Sequence, residues 1–277
     1  STTEGVNIVL QGMDWKPGDK LLTCSLEHPA ISVPTKVLEE RRGVSIVSVE
    51  LEPDATYDQI ISGFASAISN DTKLIAISHV QFTSGLRMPV KEIAEIAHKN
   101  GVMLLVDGAQ IVGHIDVDMK DLDVDFYALS GQKWLMGPTG TGALYVNPLH
   151  AQALLPLFRS SEDEILLRNS GYGSGKADSR PSLSKLSLVS QNPALIAGFA
   201  EALRMTLETS MIVVERRVGH LAEQLRKLLT TVPDASLLGP AQPATSSGLV
   251  TIGLGNWQPD SLVDALSVKF RITGRVV

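Results

Sequence analysis

Apolar and polar positions fall into two alternating patterns along this chain: short apolar runs of strand length, and stretches with apolar residues three or four apart. Residues 1–15 place hydroxyl residues first, Glu4 next, and then Val6, Ile8, Val9 and Leu10, the pattern of a capped helix start. Residues 19–25 predict a strand, and Pro29 suits the first turn of a helix reaching Val37 and Leu38. A strand over 45–51, a helix over 56–68, a strand over 73–80 and a helix over 89–99 follow. The last of these has Val90, Ile93, Ala94 and Ala97 on one face, ends at Asn100 and Gly101, and carries His98 where an exposed, dipole-favoured imidazole is expected. Such alternation predicts an α/β fold with a mostly parallel sheet covered by helices on both faces.

Three further strand-like runs occupy 102–146: MLLV, DFYALS and GALYV. Residues 150–193 lack apolar repeats and predict an irregular loop over the site. A helix over 210–232, with Val214, Val218, Leu221, Leu225 and Leu228 at helical spacing, a strand over 248–254 and a helix over 261–270 complete the chain. We expect a large domain over 1–205 and the start of a smaller α+β domain over 206–277.

Composition narrows the function. The 277 residues carry a formal charge of −6, with 44% hydrophobic and 19% charged residues. That balance gives no basic footprint for nucleic acid or a membrane surface, and points to a small-molecule substrate. A single cysteine, Cys24, forms no internal disulfide and reads as a small buried residue in a strand. With no leader-like opening and no apolar run of bilayer length, the expectation is a cytoplasmic protein.

Two strand ends carry candidate chemistry. MLLV delivers Asp107, Gly108, Ala109 and Gln110, and DFYALS delivers Ser130, Gly131, Gln132 and Lys133, both at carboxyl ends where open α/β sheets bind ligands. Taken singly, each charge reads as a solvated surface group. His114, Asp116 and Asp118 alternate as metal ligands could, but the spacing equally fits the solvent side of a short strand, and no metal is expected. WLMGPTGTG and SGYGSGK lack the ending of a nucleotide-binding loop, so they read as tight turns.

VDGAQ and SGQKW, in this order and at this spacing, resemble the pyridoxal-phosphate enzymes of fold type I, in the class V aminotransferase and cysteine desulfurase group. The resemblance implies the fold, a central sheet with flanking helices and a smaller C-terminal domain, and pyridoxal 5'-phosphate as cofactor. By resemblance Lys133 is the Schiff-base lysine, Asp107 the partner of the pyridine nitrogen, and Gln110 a hydrogen-bond donor to the ring oxygen. Thr2 and Thr3, in TTEG at a helix start, and Ser130 are the phosphate contacts. Gln132 stands where the family commonly has a histidine that also reaches the phosphate. EHPA makes His28 the histidine that stacks on the ring and shuttles protons. Ser190 takes the place of a threonine that reaches the phosphate of a neighbouring subunit, which implies a homodimer with a shared site. The opening on this motif implies a segment ahead of it in relatives, and RITGRVV precedes the region where they hold a carboxylate-binding arginine; Arg271 and Arg275 are candidates for that role, and neither is assigned it.

The loop 81–88 lacks the asparagine of many desulfurases and has Phe82 and Thr83 instead, which leans toward C–S lyase-like or aminotransferase-like relatives. The expected activity is C–S cleavage of cysteine- or cystine-type amino acids by Cα deprotonation and β-elimination. The alternatives are an aminotransferase- or epimerase-like enzyme, and a non-catalytic scaffold.

Overall fold

The computed structural model describes residues 1–157, 183–186, 191–240 and 242–277. A six-stranded sheet runs through the larger part, in the order β2-β1-β3-β4-β5-β6. The strands are β1 (Lys20–Cys24), β2 (Ser45–Val49), β3 (Thr72–Ser78), β4 (Met103–Asp107), β5 (Phe126–Ser130) and β6 (Gly142–Val146). The first five are mutually parallel and β6 returns antiparallel to β5. Helices α1 (Thr2–Gly12), α2 (Pro29–Arg42), α3 (Tyr57–Ala67) and α4 (Val90–Lys99) connect and cover it.

The inner strands β1, β3, β4 and β5 are mostly apolar on both faces because both are buried. Leu21, Leu74, Leu105 and Phe126 pack with Val6, Val9 and Leu10 of α1 and Ile31 and Leu38 of α2. Their chain neighbours Leu22, Ile75, Leu104 and Tyr127 face the other way, onto Ile60 and Phe64 of α3 and Ile93 and Ala94 of α4. This two-sided burial is why the strands read as continuous runs. Cys24 is buried at the end of β1, as its position in the sequence implied.

Four local expectations differ. His98 is half-buried rather than exposed: its Nε2 lies 2.9 Å from Asp125 Oδ2, and His150 Nε2 lies 2.7 Å from Asp125 Oδ1. His114 is fully buried, its ring 4.1 Å from that of Trp134, while Asp116 and Asp118 are exposed, so the three share no solvent face. The stretch makes one bridge, Val112 to Ile115, in place of a strand. The helix Met211–Leu229 buries a stripe rotated from the expected one. Leu221, Leu225 and Leu228 are exposed, while Ala222 is buried and Arg226 donates to the carbonyls of Ser247 and Leu249.

The preceding helix, Pro193–Thr209, runs across residues 205 and 206, and the chain breaks helix at Ser210, whose φ is +65°. A two-stranded antiparallel sheet, Ala235–Leu237 with Ile252–Leu254, and the helix Pro259–Phe270 follow. Much of the irregular stretch 150–193 lies outside the described residues, as does Ser190. Among the described residues no helix is long and apolar enough to cross a membrane.

Candidate active site

The carboxyl ends of β1, β3, β4 and β5 open into a cavity of about 210 Å³. It is lined by Thr2, Thr3, His28, Asp107, Gln110, Ser130, Gln132 and Lys133, all the sequence candidates except Ser190. Residues spread over 132 positions of the chain meet here because parallel strands put all their carboxyl ends on one edge.

Asp107 is the last residue of β4 and buried, and its Oδ1 accepts the Ala109 N–H at 2.8 Å. Burial pushes its carboxyl up to about 6; the Ala109 hydrogen bond and Lys133 pull the other way. The chain passes Asp107 only as glycine, since a Cβ on Gly108 would lie 2.0 Å from the ring of Tyr127. Behind it the Tyr127 hydroxyl meets His79 Nδ1 at 2.9 Å, and burial takes the His79 imidazole down to about 3. A neutral dyad therefore backs the carboxylate.

Lys133 sits three residues past the end of β5, half-buried. Burial lowers its ammonium from the ordinary lysine range, Asp107 opposes that shift, and Arg275 reinforces it. A lysine eased toward its free amine is what a carbonyl-binding nucleophile needs. Trp134, the next residue, donates from Nε1 to Gln110 Oε1 at 3.2 Å and so ties the two motifs together.

His28 caps α2, its Nδ1 accepting the Ala30 N–H at 3.0 Å. The ring proton of the neutral imidazole is thereby left on Nε2. Burial, with Lys133 and Arg275 nearby, lowers its pKa and favours that neutral form. The ring also meets the edge of Phe82, centroids 4.7 Å apart.

At the other end of the cavity α1 points its N-terminus inward. Thr2 Oγ1 and Ser130 Oγ lie 2.6 Å apart, and the Thr2 N–H donates to Ser130 Oγ at 3.3 Å. The first-turn N–H groups of a helix lack intrahelical partners and favour an anion. A Cβ on Gly5 would lie 2.9 Å from that of Ala128, so α1 lies tight on β5.

The donor set fits pyridoxal phosphate: a buried carboxylate for a ring nitrogen, a primary amine for an aldehyde, an imidazole over the ring and hydroxyls at a helix N-terminus for a phosphate. Sequence reasoning did not single out Ser78, Phe82 or Glu27 as site residues, and weighed Arg275 without adopting it. Arg275 lines the cavity 6.0 Å from the Phe82 ring centroid, and Arg271 does not line it. The only signal for Glu27 was its place in EHPA, where the histidine drew the assignment.

A family model described as Aminotransferase class-V matches residues 1–275. A cysteine desulfurase of Salmonella agona (strain SL483) is 32% identical over 259 residues, 92% of this chain and 61% of that protein. The chain thus spans about three fifths of the length of that curated relative. Among solved structures, the cystine C–S lyase C-DES in complex with its reaction product cysteine persulfide matches with a TM-score of 0.86 at 26% identity, covering 100% of this chain and 72% of that one. A lysine-to-alanine mutant of C-DES with glycine covalently linked to the PLP cofactor matches with a TM-score of 0.87 at 25% identity, covering 100% and 71%.

Proposed function

We propose, from the premise that this chain belongs to the aminotransferase class-V family, that it is a pyridoxal-phosphate enzyme cleaving the C–S bond of cysteine- or cystine-type amino acids by β-elimination. The observation that carries this reading is the convergence of Asp107, Lys133, His28 and the Thr2–Ser130 pair on one cavity. When bound, the cofactor supplies an electron sink for the pair of electrons left on Cα after its proton departs. Lys133 Nζ would hold the cofactor by its aldehyde and, when free, would take the proton from the substrate Cα. Asp107 would hold the ring nitrogen in its protonated form. His28 would lie against the ring, at an angle that its edge contact with Phe82 fixes. Thr2, Thr3 and Ser130 hold the phosphate, with Gln132 at the same end. Arg275 supplies a cation for the substrate carboxylate.

The electron pair freed at Cα expels the β-sulfur, and hydrolysis of the product releases pyruvate and ammonia. Cysteine then yields sulfide, and cystine yields cysteine persulfide. Elimination asks for no sulfur-accepting thiol. Cys24 is buried, hydrogen-bonded to Glu27 at 3.2 Å and held well above the ordinary thiol range by burial, so it is not placed to accept sulfur.

Product analysis with the cofactor-loaded protein tests the reading. Pyruvate in step with sulfide or persulfide is the expected outcome; a sulfur-retaining keto acid would instead mean transamination, and no turnover of any amino acid would mean a scaffold. In the same assay Arg275→Gln raises KM by about 10- to 100-fold with kcat within a few-fold, the loss of one charge-assisted contact. An unchanged KM removes Arg275 from the carboxylate site.

A further inference from the structure

Behind the cavity lies a second carboxylate that the mechanism above does not use. Glu27 follows β1 and precedes His28, and its oxygens collect donors from two strands and a loop. The Ser78 N–H donates to both oxygens at 2.9 and 3.0 Å, and Ser78 Oγ donates to Oε2 at 2.6 Å. Gln81 Nε2 donates at 2.9 Å and Cys24 Sγ at 3.2 Å. The Ser78 N–H and the Gln81 NH₂ can only donate; burial raises the Glu27 carboxyl, and these donors, with the Ser78 hydroxyl, pull it back down.

Gln81 reinforces the point. It is fully buried, and its amide turns NH₂ toward Glu27 while Oε1 is left without a partner. The opposite orientation would set a carbonyl oxygen against a carboxylate oxygen. An ionised Glu27 accounts for that orientation, since hydrogen bonds to a charged acceptor are about twice as strong as neutral ones.

Ser78 is the cross-strand partner of Asp107, so their side chains leave the same face of the sheet, and both line the cavity. Glu27, locked on Ser78, is therefore fixed next to the residue that faces the ring nitrogen. We propose that Glu27 is a positioning residue whose ionised carboxylate stands behind Asp107 and strengthens its hold on the cofactor's ring proton. The proposal rests on reading the cavity as a pyridoxal-phosphate site. The charged and titratable groups that bear on Asp107 are Glu27, Lys133 and the Tyr127 hydroxyl, with His79 and Arg87 beyond Tyr127. Glu27 supplies the negative neighbour, and its influence on Asp107 is toward higher basicity. Two carboxylates side by side make one of them a stronger base.

The test reads the ring nitrogen itself. The holoprotein is loaded with pyridoxal phosphate labelled with ¹⁵N in the ring, and the ¹⁵N shift is followed against pH. Glu27→Gln moves the deprotonation midpoint of the ring nitrogen down by about one pH unit. Ser78→Ala and Gln81→Leu each remove one donor, ease protonation of Glu27 and move the midpoint the same way by less; they decide the matter if Glu27→Gln fails to fold. A Glu27→Gln protein that binds the cofactor, even more weakly, with an unmoved midpoint overturns the proposal and leaves the cofactor site standing. A wild-type protein that shows no bound ring signal overturns the cofactor reading as well.

Discussion

Asp107 and Lys133 are displaced in opposite directions from their ordinary ranges, and burial is the first cause in both. For Asp107 this has a stability consequence with a definite sign. Its folded pKa of about 6 lies above the unfolded 3.8, so between those values the folded state binds more protons. Stability is therefore greatest below pH 4, falls as pH rises through 4 to 6, and carries the full penalty above 6. Asp107→Asn keeps an acceptor for the Ala109 N–H and removes the buried charge. In denaturant melts the cofactor-free variant is more stable than wild type above pH 6 by up to about 3 kcal/mol, and the gap closes toward pH 4. A constant gap across that range would show that Asp107 carries no such shift. The same variant loses the partner of the ring nitrogen, so the stability gain and the loss of function have one origin. Asp107 and Lys133 were legible because one ends an apolar run and the other follows one by three residues, each within a motif. Glu27 was not, because its donors lie on Cys24, Ser78 and Gln81, and no local spacing brings those together.

At the scale of elements, α1 and β5 matter most. Thr2 reaches Ser130 only if α1 lies close against the sheet, and Gly5 over Ala128 is where that closeness is set. Gly5→Ala gains about 1 kcal/mol in helix propensity and meets an overpacking cost of about 1 to 3 kcal/mol. The net expectation is a modest loss of thermal stability together with weaker cofactor affinity, read by absorbance titration. Unchanged affinity would mean that α1 can move without disturbing the phosphate end. Strands and early helices were readable from the sequence because two-sided burial writes continuous apolar runs on β3, β4 and β5. The stripe on Met211–Leu229 misled for an equally physical reason. Arg87 pairs with Glu215 at 3.4 Å and Arg226 binds two carbonyls, so polar partners set that helix's rotation while Leu221 and Leu225 are uncovered among the described residues. His98 likewise reads as a surface residue until Asp125 is seen beside it.

For the whole molecule, the parallel order β2-β1-β3-β4-β5 gathers every strand's carboxyl end on one edge, and the cavity is the consequence of that topology. Arg275, near the far end of the sequence, enters the same cavity, and no pattern along the chain told it apart from Arg271. The account stands or falls on Lys133 holding the cofactor through a carbon–nitrogen double bond. Borohydride reduction of the purified protein after incubation with pyridoxal phosphate, followed by peptide mass mapping, reads that bond directly. The account predicts a single pyridoxyl adduct on the peptide carrying Lys133, abolished by Lys133→Ala. An adduct spread over surface lysines, or none at all, would contradict it.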